Sequence, residues 1–380
     1  MTVYIHDAVR TPRGKAKADG ALAGETPHGL VTRLVDALDE RGRDARAVDR
    51  FTLGCVGQVG AQGGNIAMVA KMAAELPDAC VVHSINNFCA SGLTAIGLSM
   101  NAIEAGQATR ALAGGVEMMS RVPFMADRAD YYTDQAFPPE RRYIPVGLAA
   151  DLLAEAEGIS REAMDEVTER SQRRAAEAEG HPAYNASRIA VAGLDHEEPV
   201  RPTTLEKLAK LPHAFTQWGE EYAHALDGKP VHSHTVGHAP PIVDGAGLAL
   251  LSAQGEGARA RIVSYAEMGG HPRASLTAGF AAMEKALERA GLTLEQLDRI
   301  EFMEAFAVTY AKFLRDYPAD PAKVNVSGGH LAKGHPMGAT GAILTSTLLD
   351  VLDEADGRLG MVVCTGAQGV GAAMIVERLG

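Results

Sequence analysis

Several things are scarce in this 380-residue chain, and each shortage removes a class of function. Four cysteines, at 55, 80, 89 and 364, have no C-x-x-C spacing, so neither a zinc-site pattern nor a dense disulfide framework is present. A reduced, cytoplasmic setting is therefore expected. Positive charge is in deficit, with 36 Lys and Arg against 48 Asp and Glu, and no basic stripe offsets the net charge of −12. That argues against nucleic acid as a partner. An anionic small ligand stays open, because it needs only a local pair of cations. The opening MTVYIHDAVRTPRGK has no apolar segment of signal-peptide length, and no apolar run is long enough to cross a bilayer, so no membrane association is expected. Aromatic residues make up only 5% of the chain while glycine reaches 41 residues, a balance suited to tightly packed helices and tight turns.

Two tempting patterns fall away as well. GAQGVG at Gly366–Gly371 matches a dinucleotide-binding glycine spacing, but it leads into a strand and no acidic residue follows about 20 residues later. His232, His234 and His238 have no carboxylate or cysteine partner at matching spacing, so the expected role is a polar cleft lining, with no metal.

What is present centres on Ser84–Met100, SINNFCASGLTAIGLSM. An extended segment, Cys80–Ile85, leads through a polar elbow into Ala90–Ile103, which is small or aliphatic on nearly every face. A helix apolar all round belongs in the middle of a large domain. Cys89 stands where that helix begins, so its sulfur should face free N–H groups and the positive dipole end. Such a position stabilises a thiolate and marks Cys89 as a nucleophile.

Elsewhere strand and helix patterns alternate. Val3–Ile5 reads as a strand, and Thr26-Pro27 opens a helix that runs to about Glu40. Phe51–Val56, Val81–Ile85 and Ala111–Gly115 read as strands, and Ile66–Glu75 as a helix. The order implies a layered α/β architecture. From 121 to 238 the composition turns polar and proline-bearing but keeps amphipathic helices such as Ser160–Glu179, which reads as an inserted loop domain. Strands at Ile242–Ser252 and Ala260–Met268 then return, so 1–120 completed by 239–268 forms a first half. Residues 269–380 repeat its order as a second half: helix Leu276–Ala290, strand Ile300–Met303, helix Ala305–Asp316, strand Val324–Ser327, a helix from about Gly338, and strands Gly360–Cys364 and Ala372–Arg378.

Three elbows hold reactive groups: Cys89-Ala90-Ser91-Gly92, Gly334-His335-Pro336 and Cys364-Thr365-Gly366. Each follows a β-type segment, which allows all three to meet at one edge of a sheet. A histidine beside a cysteine supplies the activation that a neutral thiol lacks. The second thiol is unusual for a Cys–His hydrolase and suggests proton transfer to a thiol or a carbon acid. Gly366 lets a backbone N–H approach an oxyanion closely.

At these residues the chain resembles the thiolase family. AVRTPRGK at Ala8–Lys15, NNFCASGL, AGGVEMMS, PPIVDGAG, GGHLAKGHPMGATG and CTGAQGVG fall in the family's order across essentially the whole length. The resemblance implies two similar α/β halves in a five-layered αβαβα sandwich with an inserted loop domain. It also implies an acyl-CoA C-acyltransferase that cleaves 3-ketoacyl-CoA with coenzyme A, or runs the reverse Claisen condensation. Coenzyme A would be a co-substrate rather than a permanently bound cofactor, and the assembly a homodimer or homotetramer. By the same resemblance Cys89 is acylated, His335 takes its proton and holds the enolate oxygen, and Cys364 shuttles a proton. The N–H groups of Cys89 and Gly366 would form an oxyanion hole, each donor contributing about 3–4 kcal/mol. Arg201, Lys207 and Lys210 fall in a stretch similar to the family's nucleotide-side segment, and His238 and Pro240 stand where relatives line the pantetheine arm.

Some residues depart from the family pattern. Met303-Glu304-Ala305-Phe306 stands where relatives usually have Asn-Glu-Ala-Phe, whose asparagine holds a water at the enolate oxygen. Methionine cannot donate a hydrogen bond, a loss on the order of 10²-fold in condensation unless another group substitutes. His330, five residues before His335, is a candidate substitute. Pro145 and Val146 replace a His-Met pair at the acyl pocket of short-chain biosynthetic members. These departures keep two alternatives in view: altered chemistry such as thioester hydrolysis, and a non-catalytic acyl-CoA-binding subunit.

Overall fold

The computed structural model describes all 380 residues and holds ten strands and eleven α-helices. The strands are β1 (Tyr4–Arg10), β2 (Gly14–Lys15), β3 (Arg50–Gly54), β4 (Val81–Ile85), β5 (Arg110–Met118), β6 (Val243–Ser252), β7 (Ala260–Gly269), β8 (Arg299–Phe302), β9 (Leu359–Gly366) and β10 (Val370–Arg378). The helices are α1 (Pro27–Glu40), α2 (Ile66–Ala73), α3 (Ser91–Glu104), α4 (Val146–Glu157), α5 (Arg161–Glu179), α6 (Leu205–Ala209), α7 (Thr216–Glu221), α8 (Ala278–Ala290), α9 (Ala307–Asp316), α10 (His330–Lys333) and α11 (Thr340–Glu354).

The strands run in the order β4-β3-β5-β6-β1-β7-β10-β9-β8. Two half-sheets are visible in that order, joined only where Tyr4 and Ile5 of β1 pair with Arg261 and Ala260 of β7. β7 forms its long pairing with β10, although the sequence pattern groups it with the first half. α3 packs on β3, β5 and α11, while α11 packs on β6, β9, β1 and β8. These two helices are therefore the middle layer of a five-layered αβαβα sandwich. α1 and α2 cover the outer face of the first half-sheet and α8 that of the second. Being covered on both sides explains why α3 is apolar all round: Leu93, Ile96 and Ile103 are fully buried. Each contributes about 1.5–3 kcal/mol relative to exposure.

Glycines let the middle helices meet at their feet. A Cβ on Gly341 would sit 2.3 Å from the Leu93 nitrogen, and one on Gly92 would sit 2.8 Å from the Gly338 oxygen. The segments just before α3 and α11 are thereby forced into one place. Those segments carry Cys89 and His335.

Between Arg121 and His238 lie α4 to α7 and none of the ten strands. Ser160 caps α5 by accepting from the Ala163 N–H, and α5 packs on α9 and α10.

One expected element is absent. Val324–Ser327 is not a strand: only a single bridge joins Val324 to Ile300. The backbone turns left-handed at Asn325, where φ is 46°. The Asn325 side chain instead takes the strand's place, with Oδ1 accepting from the Phe302 N–H (2.8 Å) and Nδ2 donating to the Phe302 oxygen (2.9 Å).

Candidate active site

The Cys89 elbow is built by its own polar letters. Phe88 is left-handed, with φ of 45°, a conformation a bulky residue keeps only when its surroundings fix it. Asn86 Oδ1 accepts from the Phe88 N–H at 2.9 Å, and Ser91 Oγ accepts from the Asn87 N–H at 2.8 Å while donating to the Phe88 oxygen at 2.6 Å. Asn87 Nδ2 donates to Thr94 Oγ1 at 2.9 Å. Cys89 emerges partly exposed at the base of a pocket, one residue before the α3 cap at Ala90.

His335 lines the same pocket. Gly334 precedes it with φ of 91°, and a Cβ there would strike Val243 at 2.4 Å, so this approach admits only glycine. The His335 N–H donates to the Pro241 oxygen at 3.1 Å. Nδ1 lies 2.6 Å from Thr340 Oγ1, while Nε2 is buried without a partner. When Nδ1 holds the proton and donates it to Thr340, Nε2 is left as a base.

The third elbow closes on the first. A Cβ on Gly366 would lie 3.2 Å from Cys89 Cβ and 3.3 Å from the Cys89 nitrogen. Cys364 is fully buried on β9, and burial together with the Cys89 sulfur pushes its thiol upward. Cys364 stands behind the pocket surface rather than in its lining.

The charge state differs from the thiolate expected at a helix start. Burial pushes the Cys89 thiol up to about 12, outweighing the backbone groups of Ala367 and Cys89 that pull it down. His335 is pushed down to about 3, by burial first and by Arg13 second. With these shifts the two residues lining the pocket rest as a thiol and a neutral imidazole, so proton transfer must accompany attack.

Beneath this pair lies Glu117, a residue the sequence reading did not single out. Its carboxylate is fully buried and accepts from the N–H groups of Val56 (2.9 Å), Gly57 (3.0 Å) and Gly338 (3.0 Å) and from Gln62 Nε2 (2.7 Å). It fastens the turn before α11 to the loop after β3. A lone acidic residue in the apolar AGGVEMMS run was the available signal. Cys55 packs against Glu117, and burial raises its thiol, which fits an inert packing role.

Of the expected coenzyme A contacts, Arg201 and Lys207 line a second cavity that shares Ala239 and Pro241 with the Cys89 pocket. Pro240 lines the Cys89 pocket itself. Two expectations are corrected. Lys210 pairs with Glu206 at 2.5 Å on the exposed face of α6 and reaches neither cavity. His238 is fully buried, with Nε2 2.6 Å from Asp165 and Nδ1 accepting from the Thr235 N–H. His232 and His234 are likewise held by Asp151, at 2.8 and 2.9 Å. These histidines clamp the 232–238 segment onto α4 and α5; His232 also lines a separate cavity beside α7, as expected of a cleft residue, while His234 and His238 are fully buried.

Met303 is fully buried in the core and does not line the pocket. His330 is also fully buried, edge-on to His335 with ring centroids 5.5 Å apart, and both its nitrogens are unpartnered. The outer part of the pocket is aromatic. Tyr131, Tyr132 and Tyr143 come from the segment before α4, Phe215 and Trp218 from α7 and its cap, and Phe88, Phe124 and Phe306 complete the wall.

A thiol, an imidazole with one free nitrogen and a second buried thiol are thus brought together near the feet of the two central helices, the set of groups that cysteine-dependent acyl transfer requires. Comparison with known proteins agrees: residues 3–255 match the thiolase N-terminal domain and residues 257–378 the thiolase C-terminal domain. The beta-ketoadipyl-CoA thiolase of Pseudomonas aeruginosa and the 3-ketoacyl-CoA thiolase of Erwinia tasmaniensis are each 34% identical over 99% of both chains. Human mitochondrial 3-ketoacyl-CoA thiolase superposes with a TM-score of 0.88 at 28% identity, covering 100% of this chain and 99% of that one. The acetyl-CoA acetyltransferase of Bacillus anthracis gives 0.86 at 30% identity, again covering 100% and 99%. The chain belongs to the thiolase family of acyl-CoA C-acyltransferases, enzymes that use coenzyme A as a substrate. No helix is long and apolar enough to cross a membrane.

Proposed function

We propose that this enzyme cleaves a 3-ketoacyl-CoA with coenzyme A through an acyl-Cys89 intermediate. As Cys89 Sγ attacks the 3-keto carbon, His335 Nε2 takes the thiol proton. The C2–C3 bond then breaks, Cys364 gives its proton to C2 of the acetyl-CoA enolate, and acetyl-CoA leaves. The Cys364 thiolate takes the proton of incoming coenzyme A, whose sulfur displaces Cys89, and the proton on His335 returns to Cys89. Gly366 and Cys89 supply backbone N–H groups to the tetrahedral oxyanion, while Arg201 and Lys207 meet the phosphates and Pro240 the pantetheine arm. His330 backs His335 at the enolate oxygen in place of a donor from residue 303. The observation that supports this reading most is the free, buried Nε2 of His335 sharing a pocket with Cys89.

The test is acetyl-CoA release from a 3-ketoacyl-CoA with and without free coenzyme A. Release that depends on coenzyme A is expected. Acetyl-CoA release independent of it, with the acyl-Cys89 thioester passing to water, would make the enzyme a carbon–carbon hydrolase, and free coenzyme A released without acetyl-CoA would make it a thioester hydrolase; either overturns the thiolytic reading.

Residues 121–238 act in this reading as a loop domain that shapes the pocket mouth. The reading also has the chain forming a homodimer or homotetramer, supported by β4, the edge strand of the first half-sheet, where Val81 is 51% exposed. A cytoplasmic location fits the four free cysteines.

A further inference from the structure

Eight of the chain's nineteen aromatic side chains, including its single tryptophan, line the Cys89 pocket. In a protein so poor in aromatics this concentration is a property of the pocket. Phe215 and Trp218 stack face to face at 4.8 Å and 8°. Tyr143 meets Tyr132 at 4.7 Å and Tyr131 at 6.2 Å. The tyrosine hydroxyls are already engaged: Tyr131 donates to the Arg141 oxygen at 2.7 Å, Tyr132 to Asp127 at 2.9 Å, and Tyr143 to the Met125 sulfur at 3.5 Å. What they add to the wall is therefore ring surface.

Charge in the lining is limited to one acid. No lysine or arginine lines this pocket, and Asp127 is its only carboxylate. His335 is held neutral by burial. The cations Arg201 and Lys207 lie in the other cavity, beyond Ala239 and Pro241. An acyl group ending in a carboxylate would lose its water here, find no partner, and face Asp127. Yet a relative covering 99% of this chain is named for exactly such a group, beta-ketoadipyl-CoA. The cavity measures about 360 Å³, near the small end of ligand pockets (about 300–1,000 Å³), which favours one ring over a long chain. Flat apolar groups gain most from aromatic walls through stacked and edge contacts.

We propose that the acyl group is uncharged, apolar and ring-bearing, stacked against Phe215–Trp218 and the tyrosine cluster, and that dicarboxylic 3-ketoacyl groups are rejected. This rests on the thiolytic reading above and sharpens it to a substrate class.

The test compares kcat/KM of the full-length enzyme, with coenzyme A saturating, for 3-oxo-3-phenylpropanoyl-CoA, acetoacetyl-CoA and 3-oxoadipyl-CoA. The phenyl substrate is expected to exceed both others by about tenfold or more. Trp218→Ala should shrink that preference, acting on the phenyl substrate far more than on acetoacetyl-CoA. Equal or better use of 3-oxoadipyl-CoA or acetoacetyl-CoA overturns the proposal. A uniform loss across all three in Trp218→Ala would assign the wall to the coenzyme A arm and overturn it as well. No acetyl-CoA from any of the three, with no acyl adduct on Cys89, overturns the thiolytic reading itself and the proposal with it.

Discussion

Thr340 Oγ1 sits 2.6 Å from Nδ1 of His335, five residues earlier in the chain, and leaves Nε2 as the imidazole's free nitrogen. One hydroxyl at the start of α11 thus sets which face of the histidine meets the substrate. Thr340→Val should lower kcat roughly fivefold, the scale of one neutral hydrogen bond (about 1 kcal/mol), with little change in KM. Thr340→Ser should restore most of the loss. Steady-state kinetics of the three proteins checks this; equal kcat in the valine variant would remove Thr340 from the account.

Gly366→Ala probes the seam between the two halves. Its Cβ would meet Val370 Cγ2 at 2.9 Å and Cys89 Cβ at 3.2 Å. The valine methyl must move, and the backbone N–H aimed at the oxyanion moves with it. The expected result is kcat lower by about 10²-fold, the scale of one lost donor, with the melting temperature nearly unchanged. Unaltered kcat in a folded variant would contradict the oxyanion role.

Glu117→Gln replaces an acceptor of four donors by an amide whose own NH2 must face some of them. Two or more of those donors lose their partner, so a destabilisation of about 2–4 kcal/mol follows. Denaturant unfolding measures it. The floor under His335 loosens in the same variant, so kcat should fall as well.

His330 offers a test in which stability and activity move in opposite directions. Its buried ring has no partner at either nitrogen, and burial pushes its pKa well below 6.5, with Arg13, His335 and Lys333 adding to the shift. Unfolding lets the ring take a proton that the folded state refuses. Its contribution is therefore unfavourable below about pH 6.5, by up to about 1.4 kcal/mol per pH unit, and levels off above that. His330→Leu should melt higher than the parent, by an amount that grows as pH falls from 7.5 to 5. The same variant should slow hydrogen–deuterium exchange at C2 of acetyl-CoA, which reports enolate formation. Unchanged exchange would leave His330 as packing alone.

Much of the site was legible because its chemistry needs particular letters. Asn86, Asn87 and Ser91 tie the elbow, Gly334 and Gly366 permit close approach, and the apolar run of α3 announces a helix covered on both faces. Legibility failed where tertiary context overrode local pattern. Val324–Ser327 has strand letters, but Asn325 uses its side chain to hold Phe302 in a strand's stead. His238 is polar and close in sequence to the pocket, yet Asp165 draws it into the interior. Lys210 is cationic in the right stretch, but one helical turn brings it to Glu206. At Cys89 the local pattern misses the cost of burial, which raises the thiol against the backbone groups of Ala367 and Cys89 that lower it.

The central claim is that Cys89, and not Cys364, becomes acylated. Intact-mass and peptide mass spectrometry after incubation with acetyl-CoA, free coenzyme A being absent, tests it most directly. The account predicts one acetyl group per chain, located on the peptide containing Cys89, missing in Cys89→Ala and discharged as acetyl-CoA when coenzyme A is added. An adduct on Cys364, or none on Cys89 in a folded enzyme that still turns over, would contradict it.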